Sequence, residues 1–310
     1  MLLTAEISSV FFLFKLVLLT LMQSKQLKLT HLVIFLCLFV FAFSTHGTAN
    51  QKDGLLKIYF FDVGQGDAIF IEAPNGNQVL VDGGPDNAVV QKLGETMPFY
   101  DKDIDMVVLT HSDADHITGL IEVLERYDVE KIAYSNIIRR SALYNAWQEA
   151  VAEEGADIID PVAGKIIDLG NGATLTILHP TESLIGKVLE KTNNYSVVLM
   201  LKYGESEILL TGDIEAKAER QIILSGANLD ADILKVAHHG SKTSTIEEFL
   251  YEVSPQVAVI QVGAKNRYGH PTQEVLNRLE NFGMKLYRTD VDGGVKVVSD
   301  GVNYLVNTVK

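Results

Sequence analysis

The chain has little cysteine and little proline. Its 310 residues include one cysteine, Cys37, and seven prolines. A single thiol forms neither an internal disulfide nor a cysteine-ligated zinc cluster, so disulfide-stabilised scaffolds and cysteine-rich zinc domains are excluded. Apolar residues make up 47% of the sequence, which is too high a share for an intrinsically disordered chain. The composition therefore predicts a globular protein with a sizeable core.

Positive charge is also scarce. The sequence has 26 basic and 40 acidic side chains, which gives a formal net charge of −14. Proteins that bind nucleic acid mainly through its phosphates need a surplus of Lys and Arg. The charge therefore argues against a general nucleic-acid-binding surface. A local cationic rim near the predicted site loops would still bind a phosphate, and its candidate residues are Lys235, Lys242, Lys265 and Arg267.

Long hydrophobic runs are missing too. The two N-terminal apolar runs, Val10–Met22 and Leu32–Phe43, are shorter than the roughly 18 residues that a membrane-spanning helix needs. Two lysines precede the second run, and small residues ending at Ala49 follow it, which is the pattern of a secretory signal. We predict that residues 1–49 are a signal peptide or an N-terminal membrane anchor, and that residues 50–310 form a single domain.

The N-terminal segment also indicates where the protein acts. Met22 is a natural start for the signal, so translation from Met1 is one of two alternatives. Residues 1–49 carry three basic and one acidic side chain, and without them the chain has 23 basic and 39 acidic residues and a net charge of −16. We expect a secreted or extracytoplasmic monomer that contacts a membrane only if this segment stays uncleaved.

Runs of strand and helix length alternate through the rest of the chain. In both halves, strands paired as hairpins are followed by strands interleaved with helices. This order predicts an α/β fold, a four-layer αββα sandwich of two packed sheets with helices outside. We predict strands over 56–61, 68–72, 78–81, 106–110, 131–134, 174–178, 196–203, 207–210, 232–237, 257–261, 285–288, 294–298 and 304–309. The predicted helices cover 117–127, 142–153, 216–224, 245–251 and 272–282.

Histidine placement is the main functional signal. Five histidines fall in three short segments near the ends of predicted strands, where α/β folds place their sites. The first segment has four potential metal ligands in six residues, and an extended chain would point His111, Asp113 and Asp115 to one side. A solvated acidic loop, the alternative, gives no reason for two histidines to bracket two aspartates. The residues are His111, Asp113, Asp115 and His116, then His238 and His239, then His270.

Two further aspartates follow predicted strands in the same way. Asp82 precedes two glycines, and Asp213 precedes the predicted helix over 216–224. Taken singly, each is equally well explained as a turn residue or a helix N-cap. Together with the histidines they complete a set large enough for two metal ions. Carboxylates next to metal sites commonly fix the tautomer of a ligand histidine, so we predict this role for Asp82.

These motifs, in their order along the chain, resemble those of the metallo-β-lactamase superfamily. Some are more specifically similar to the ComEC-like branch, the extracytoplasmic hydrolase domain of a DNA-uptake competence protein and its stand-alone relatives. The resemblance runs from about Leu56 to Val298 and implies an αββα metal-dependent hydrolase. The superfamily motifs are Val81-Asp82-Gly83, His111-x-Asp113-x-Asp115-His116, Thr211-Gly212-Asp213 and His238-His239-Gly240-Ser241. The ComEC-like motifs are Phe61–Asp67, Asn193–Leu199 and Leu234–Ser241.

The chain departs from the wider superfamily at two ligand positions. Asp113 replaces the second histidine of the usual HxHxDH motif, and Asn193 and Asn194 stand where another ligand histidine is expected. Both changes are typical of the ComEC-like branch. Fewer nitrogen donors and more oxygen donors shift one site's preference from zinc toward manganese. The resemblance thus implies one or two divalent ions, zinc or manganese.

The resemblance also implies a role for each candidate residue. His111 and Asp113 would hold the first ion, while Asp213 would bridge the two. The ligands of the second ion would be Asp115, His116 and His239, with His238 as the alternative to His239. Asp115 would also accept a proton. Of His238 and His239, the one that is not a ligand would contact the leaving or transferring phosphoryl group or orient its neighbour. The residues expected to line the cleft or to support the ligands, with loop or scaffold roles as alternatives, are Asp62, Asp67, Asn194, Ser241 and His270.

Three functional hypotheses follow. The first is a phosphodiesterase, and more narrowly a nuclease, in which a metal-activated hydroxide attacks phosphorus. The second is a hydrolase of another phosphoester, such as phosphorylcholine on a wall polymer, or of a lactam. The third is a non-catalytic binding module that keeps the fold. The substrate expected from the first hypothesis is a phosphoester, with DNA as a specific case.

Overall fold

The computed structural model describes residues 53–309, so the predicted signal or anchor segment, residues 1–49, lies outside the described residues. Within the described range, no helix is both long and apolar enough to cross a membrane. The strands are β1 (Leu56–Phe60), β2 (Ile69–Glu72), β3 (Gln78–Val81), β4 (Asp103–Leu109), β5 (Asp128–Tyr134), β6 (Asp157–Ile159), β7 (Ile166–Gly170), β8 (Ala173–His179), β9 (Val198–Tyr203), β10 (Ser206–Leu210), β11 (Ile233–Lys235), β12 (Val257–Ile260), β13 (Lys285–Arg288), β14 (Gly294–Ser299) and β15 (Tyr304–Val309). The helices are α1 (Ala88–Thr96), α2 (Ala114–Leu124), α3 (Ala142–Glu154), α4 (Ala216–Leu224), α5 (Glu247–Val253), α6 (Gln273–Asn281) and α7 (Thr289–Asp292).

The strands form two mixed sheets. The first has the order β15-β14-β1-β2-β3-β4-β5-β6, and the second has the order β13-β12-β11-β10-β9-β8-β7. In the first sheet, β3 through β6 run parallel to one another, while β1, β2, β14 and β15 are joined antiparallel. In the second sheet, β10 through β13 are parallel. Each half therefore combines a hairpin region with a parallel region, as the sequence pattern indicates.

Three apolar layers hold these elements together. Alternate residues of the strands, such as Ile58 and Ile208, fill the layer between the two sheets. A second layer lies between the first sheet and α1, α2 and α3, with Trp147 as its largest fully buried side chain. A third lies between the second sheet and α4, α5 and α6, and includes Phe249. The predicted αββα sandwich is confirmed.

Several elements differ from their predicted form. The helix α1 was not predicted, nor were the short strands β6 and β7, in which only Leu169 is buried and the sequence shows no clear alternation. The helix α2 begins at Ala114 instead of Ile117. Asp115 therefore lies in the first helical turn, and the expected extended alternation through Asp115 is wrong because the helix interrupts it after Asp113.

The parallel strands bring the candidate residues to one edge of the sandwich. Asp82 follows β3 and His111 comes two residues after β4, so both leave the carboxyl ends of neighbouring strands of the first sheet. Asp213 follows β10 and His239 follows β11, which are neighbours in the second sheet. Carboxyl ends of parallel strands point the same way, and this is why residues more than 100 positions apart meet there.

Candidate metal centre

Three buried imidazoles point their Nε2 atoms at one carboxylate. The Oδ2 atom of Asp213 lies 3.3 Å from His239 Nε2, 3.4 Å from His116 Nε2 and 4.0 Å from His111 Nε2. Oδ2 of Asp115 lies 3.3 Å from His239 Nε2 as well. The groups His111–His116–Asp213 and Asp115–His116–His239 each gather their ligand atoms within 4.8 Å of one another.

The other nitrogen of each ring is already engaged. Nδ1 of His116 lies 2.8 Å from Oδ2 of Asp82, and Nδ1 of His239 donates to the carbonyl oxygen of Gln261 at 2.9 Å. Nδ1 of His111 is 3.1 Å from the Thr110 hydroxyl, which itself donates to Asp82. These contacts fix the ring orientations and leave Nε2 of each imidazole facing the centre, where its lone pair can bind a cation once the ring is neutral.

The residues fit a divalent cation because their inward atoms lack partners. Among the described residues, Nε2 of His111, His116 and His239 is buried with no hydrogen bond, and so is Oδ1 of Asp213. Buried polar atoms are normally paired, so the three unpaired Nε2 atoms that converge on Oδ2 of Asp213 require an explanation. Neutral imidazole and carboxylate are the donors that Zn²⁺ and Mn²⁺ bind, and a cation held by these atoms would satisfy them.

The glycine-rich loop over 62–67 packs against the ligand helix. Gly66 has φ +142°, and a Cβ atom built on it would lie 2.1 Å from the carbonyl oxygen of Asp115. The backbone N–H of Asp67 donates to that same carbonyl at 3.2 Å. The glycine is required here because the loop touches the first turn of α2 directly, and the loop thereby positions Asp115.

A buried ion pair lies behind the ligands. Lys235 is fully buried, and its Nζ atom contacts Oδ2 of Asp67 and lies 3.8 Å from Oδ1 of Asp213. Oδ1 of Asp67 is 3.3 Å from Nδ1 of His239. Asp67 therefore supports a ligand histidine while Lys235 balances its charge. A buried carboxylate without such a partner would be strongly unfavourable.

The charges around the centre shift the pKa values of its residues. Burial alone would lower the pKa values of His116 and His239, but the Asp213 carboxylate raises both well above their usual range, helped by Asp82 and Asp67 respectively. Burial would raise the pKa of Asp213, yet His239 and His116 hold it well below its ordinary value. In the metal-free protein these two imidazoles therefore keep protons that a bound cation must displace.

Asp113 is held by an arginine. Nη1 of Arg139 donates to Oδ1 of Asp113 at 2.7 Å, and the Thr192 hydroxyl donates to the same oxygen at 3.1 Å. Oδ2 of Asp113 faces the centre, 4.0 Å from Nε2 of His111. Asp113 therefore faces the centre with one oxygen, while the Arg139 guanidinium binds the other.

His238 and His270 lie at the mouth of the centre. Both His238 and His239 have left-handed backbone conformations, with φ +51° and +52°, which are costly for residues other than glycine and cluster at functional sites. Nε2 of His238 is 3.9 Å from Oδ2 of Asp213, and its side chain is 22% exposed. The rings of His238 and His270 lie 5.7 Å apart. His239 thus faces the ligand atoms, and His238 faces the cleft.

Three other candidates make local contacts outside the ligand cluster. The Asn194 side chain accepts hydrogen bonds from the backbone N–H groups of Glu215 and Ala218, at the start of α4. Ser241 bonds Thr243 within its own loop. Asp62 accepts a hydrogen bond from the backbone N–H of Gly64. The structure therefore gives these side chains turn and capping contacts.

Sequence reasoning missed two residues that support the centre and misplaced a third. Arg139 lies in the loop between β5 and α3, and the side chain of Gln261, just after β12, ties β12 to the carbonyl oxygens of Phe61 and Ala68. Lys235 was expected on a cationic rim, but it is buried. No local pattern marks these residues, and an apolar strand ending in lysine was the only available signal for Lys235.

Comparison with known families identifies the architecture. The sequence profile of the Metallo-beta-lactamase superfamily matches residues 61–264. The chain belongs to this superfamily. Members of the metallo-β-lactamase superfamily are mostly metal-dependent hydrolases. The match covers the loop over 62–67, the ligand segment of α2, Asp213 and His239, and it ends just after β12.

Relatives of this superfamily member include competence proteins. It is 32% identical to the ComE operon protein 3 of Bacillus subtilis over 257 residues, which cover 77% of this chain and 32% of that protein. It is 33% identical to Recombination protein 2 of Haemophilus influenzae over 76% of this chain and 28% of that protein. It is 30% identical to Competence protein ComA of Neisseria gonorrhoeae over 76% of this chain and 31% of that protein. The ComEC-like resemblance is confirmed, and the chain spans about a third of the length of these relatives.

Proposed function

We propose that the protein is a metal-dependent phosphodiesterase acting outside the cytoplasm, with DNA as a candidate substrate. The observation that carries this proposal is the convergence of three buried, unpaired Nε2 atoms on Oδ2 of Asp213. Two more carboxylates flank Asp213: Asp113 lies beside His111, and Asp115 lies beside His239. Such a set suits hydrolysis without a protein nucleophile.

Each ligand group would hold a cation in a defined way. His116, His239 and Asp115 form one side of the centre, His111 and Asp113 the other, and Asp213 lies between them. Bound divalent ions supply Lewis-acid charge and a nucleophilic water at neutral pH. The chain's own contribution is rigidity, since Asp82, Asp67 and Gln261 hold the imidazoles from behind.

Proton transfer falls to different residues than the ligand motif alone indicates. Burial would raise the pKa of Asp115, but the His239 imidazole, whose Nε2 lies 3.3 Å from Oδ2 of Asp115, and the charge of His116 lower it far below the ordinary value. A weak base is a poor proton acceptor near neutral pH, so Asp115 is better suited to ligation. His238 faces the cleft beside Asp213, and we assign it the proton donated to the leaving group.

Two lines of support favour a phosphodiester substrate. The names of the relatives, ComE operon protein 3 and Competence protein ComA, associate them with competence. The mixed nitrogen and oxygen donors suit ions such as Mn²⁺ that stabilise phosphoryl oxygens. The proposed extracytoplasmic location rests on the signal-like pattern of residues 1–49.

One observation favours the second candidate, a small phosphoester. Lys235 is buried against Asp67 and contributes no charge to the rim of the cleft. Long strands of DNA gain affinity mainly from exposed Lys and Arg, and the whole chain is strongly acidic. A compact diester, whose phosphate reaches the centre by itself, needs fewer such contacts.

The proposal is tested by assaying the protein with Mn²⁺ or Zn²⁺ on bis-p-nitrophenyl phosphate, linear DNA and nitrocefin. Turnover of the diester is expected, and cleavage of DNA as well would assign the nuclease function. Turnover of the diester without DNA cleavage would favour the small phosphoester. Hydrolysis of nitrocefin alone would contradict the proposal, and so would inactivity on all three together with no metal by elemental analysis.

Asp115→Asn is the matched variant for this assay. Asparagine keeps the size of the side chain but loses the charge that faces His239, so diester turnover should fall at least about a hundredfold. Asp230→Asn, an exposed change far along the chain, serves as the control and should keep full activity. Unchanged circular dichroism of both variants separates loss of chemistry from loss of fold. Full activity of Asp115→Asn would reject its place in the centre.

A further inference from the structure

Arg139 connects three segments at the edge of the centre. From the loop between β5 and α3, its Nη1 atom donates to the Ser112 carbonyl oxygen at 2.8 Å and to the Ser112 hydroxyl at 2.7 Å. The same atom lies 2.7 Å from Oδ1 of Asp113 and 3.4 Å from the Thr192 hydroxyl, so its two hydrogens are shared among these acceptors. Its side chain is 23% exposed. No sequence motif singles it out.

Asp113, the partner of Arg139, belongs to the half of the centre that has fewer metal donors. On the side of His111, the carboxylate of Asp113 is the second donor, and Asn193 bonds the His238 ring instead of facing His111. On the side of His239, Asp115 faces the centre with no cationic side chain of Lys or Arg bound to it among the described residues. The two halves therefore differ in both donor number and available negative charge.

A charge count shows what Arg139 does to the whole centre. Its carboxylates and cations give a net charge of −3 when the imidazoles are neutral. One divalent ion would bring this to −1, and a second would bring it to +1. Without Arg139, two divalent ions would leave the centre neutral. The charged residues counted are Asp67, Asp82, Asp113, Asp115 and Asp213, against Lys235 and Arg139.

We propose that Arg139 makes the centre bind its two divalent ions unequally. The first ion binds tightly at Asp115, His116, His239 and Asp213, and the second binds weakly at His111 and Asp113, because the guanidinium already compensates the Asp113 carboxylate. This inference rests on the metal-binding part of the proposed function. It is independent of which substrate the protein hydrolyses, since it concerns only the affinity for ions.

The test is isothermal titration of the metal-free protein with Mn²⁺. The wild-type protein should show two steps, the second at least about tenfold weaker than the first. Arg139→Gln keeps a hydrogen-bond donor beside Asp113 but removes the charge, so the second step should tighten by about tenfold or more while the first stays unchanged. Arg139→Lys keeps the charge and should leave the second step weak.

Each contrary result overturns the inference. Two steps of equal affinity in the wild-type protein would do so, and so would a second step in Arg139→Gln that is unchanged or weaker than in the wild type. The latter result would mean that Arg139 orients Asp113 instead of competing for it. Arg126→Ala, which removes an exposed pair with Glu122, is the control and should change neither step.

Asp113→Asn examines the same claim without altering Arg139. Loss of the second step with an unchanged first step is expected, and retention of both steps would overturn the inference. Absence of any Mn²⁺ binding by the wild-type protein would instead contradict the proposed function. Two equal steps accompanied by diester turnover would leave the proposed function intact, so the two failures are distinguishable.

Discussion

At the scale of single residues, each ligand imidazole is held by polar groups on the side of the ring that faces away from the centre. Asp82, Asp67 and the carbonyl of Gln261 face the Nδ1 side of the ligand rings, while the Nε2 side stays unpaired. This division fixes each ring orientation without any metal present. Lys235, the last residue of β11, makes it possible by placing a buried positive charge next to Asp67.

Removing the charge of Lys235 should destabilise the protein. Lys235→Met keeps the length of the side chain but leaves the buried carboxylate of Asp67 without its lysine partner, and we expect a loss of about 3 kcal/mol or more in the free energy of unfolding. Urea unfolding of the metal-free protein measures it. Lys217→Met, at an exposed position of α4, is the control. A loss below about 1 kcal/mol, typical of a surface pair, would contradict a structural role for this ion pair.

At the scale of elements, the loop over 62–67 and the start of α2 behave as one unit. Gly66 lies so close to the Asp115 carbonyl that no side chain fits between them, and the Asp67 N–H is bonded to that carbonyl. The loop belongs to the β1–β2 hairpin, whereas α2 follows β4. The position of one ligand carboxylate is therefore set by a hairpin more than forty residues earlier in the chain.

Gly66→Ala should separate these two elements. The added methyl group would collide with the Asp115 carbonyl, and φ +142° is unfavourable for alanine. We expect Mn²⁺ affinity to fall at least about tenfold, measured by titration calorimetry. Gly94→Ala in α1 is the matched control, because a Cβ there meets nothing within 4 Å, and it should raise stability by about 0.5–1 kcal/mol. Unchanged affinity in Gly66→Ala would contradict the proposed coupling.

What the sequence predicted at this scale follows from local signals. The strands that end in ligands are short apolar runs, so the residues after them, such as His111 and Asp213, stood out by position alone. Arg139 and Gln261 did not, because their roles depend on partners far along the chain, Thr192 for the first and Phe61 for the second. The edge strands β6 and β7 were missed since exposed side chains leave no alternation to detect.

At the scale of the whole molecule, the metal-free protein should lose stability as pH rises. The folded pKa values of His116 and His239 lie well above the value near 6.5 of an unfolded chain. Their protonation therefore stabilises the fold fully below about pH 6.5, and this contribution disappears as pH rises through the folded pKa values. His111, whose pKa is lowered by burial, acts in the opposite direction only below this window.

Thermal unfolding with and without Mn²⁺ checks this expectation. Between pH 6.5 and pH 9, the midpoint of the metal-free protein should fall, while the increase that saturating Mn²⁺ gives should grow because fewer protons compete for the imidazoles. The His116→Gln variant should lose much of the pH dependence. A metal-free midpoint that rises across this range would contradict the arrangement of charges described above.

The division of the ligands between the two sheets has a consequence for how the protein matures. His111, Asp115 and His116 are made early, whereas Asp213 and His239 come about a hundred residues later. A growing chain cannot assemble the full set of ligands until its second half has been synthesised and has folded onto the first. Binding of a divalent ion by the complete set would therefore follow synthesis of the second half. A chain truncated before residue 239 would lack one of the proposed ligands.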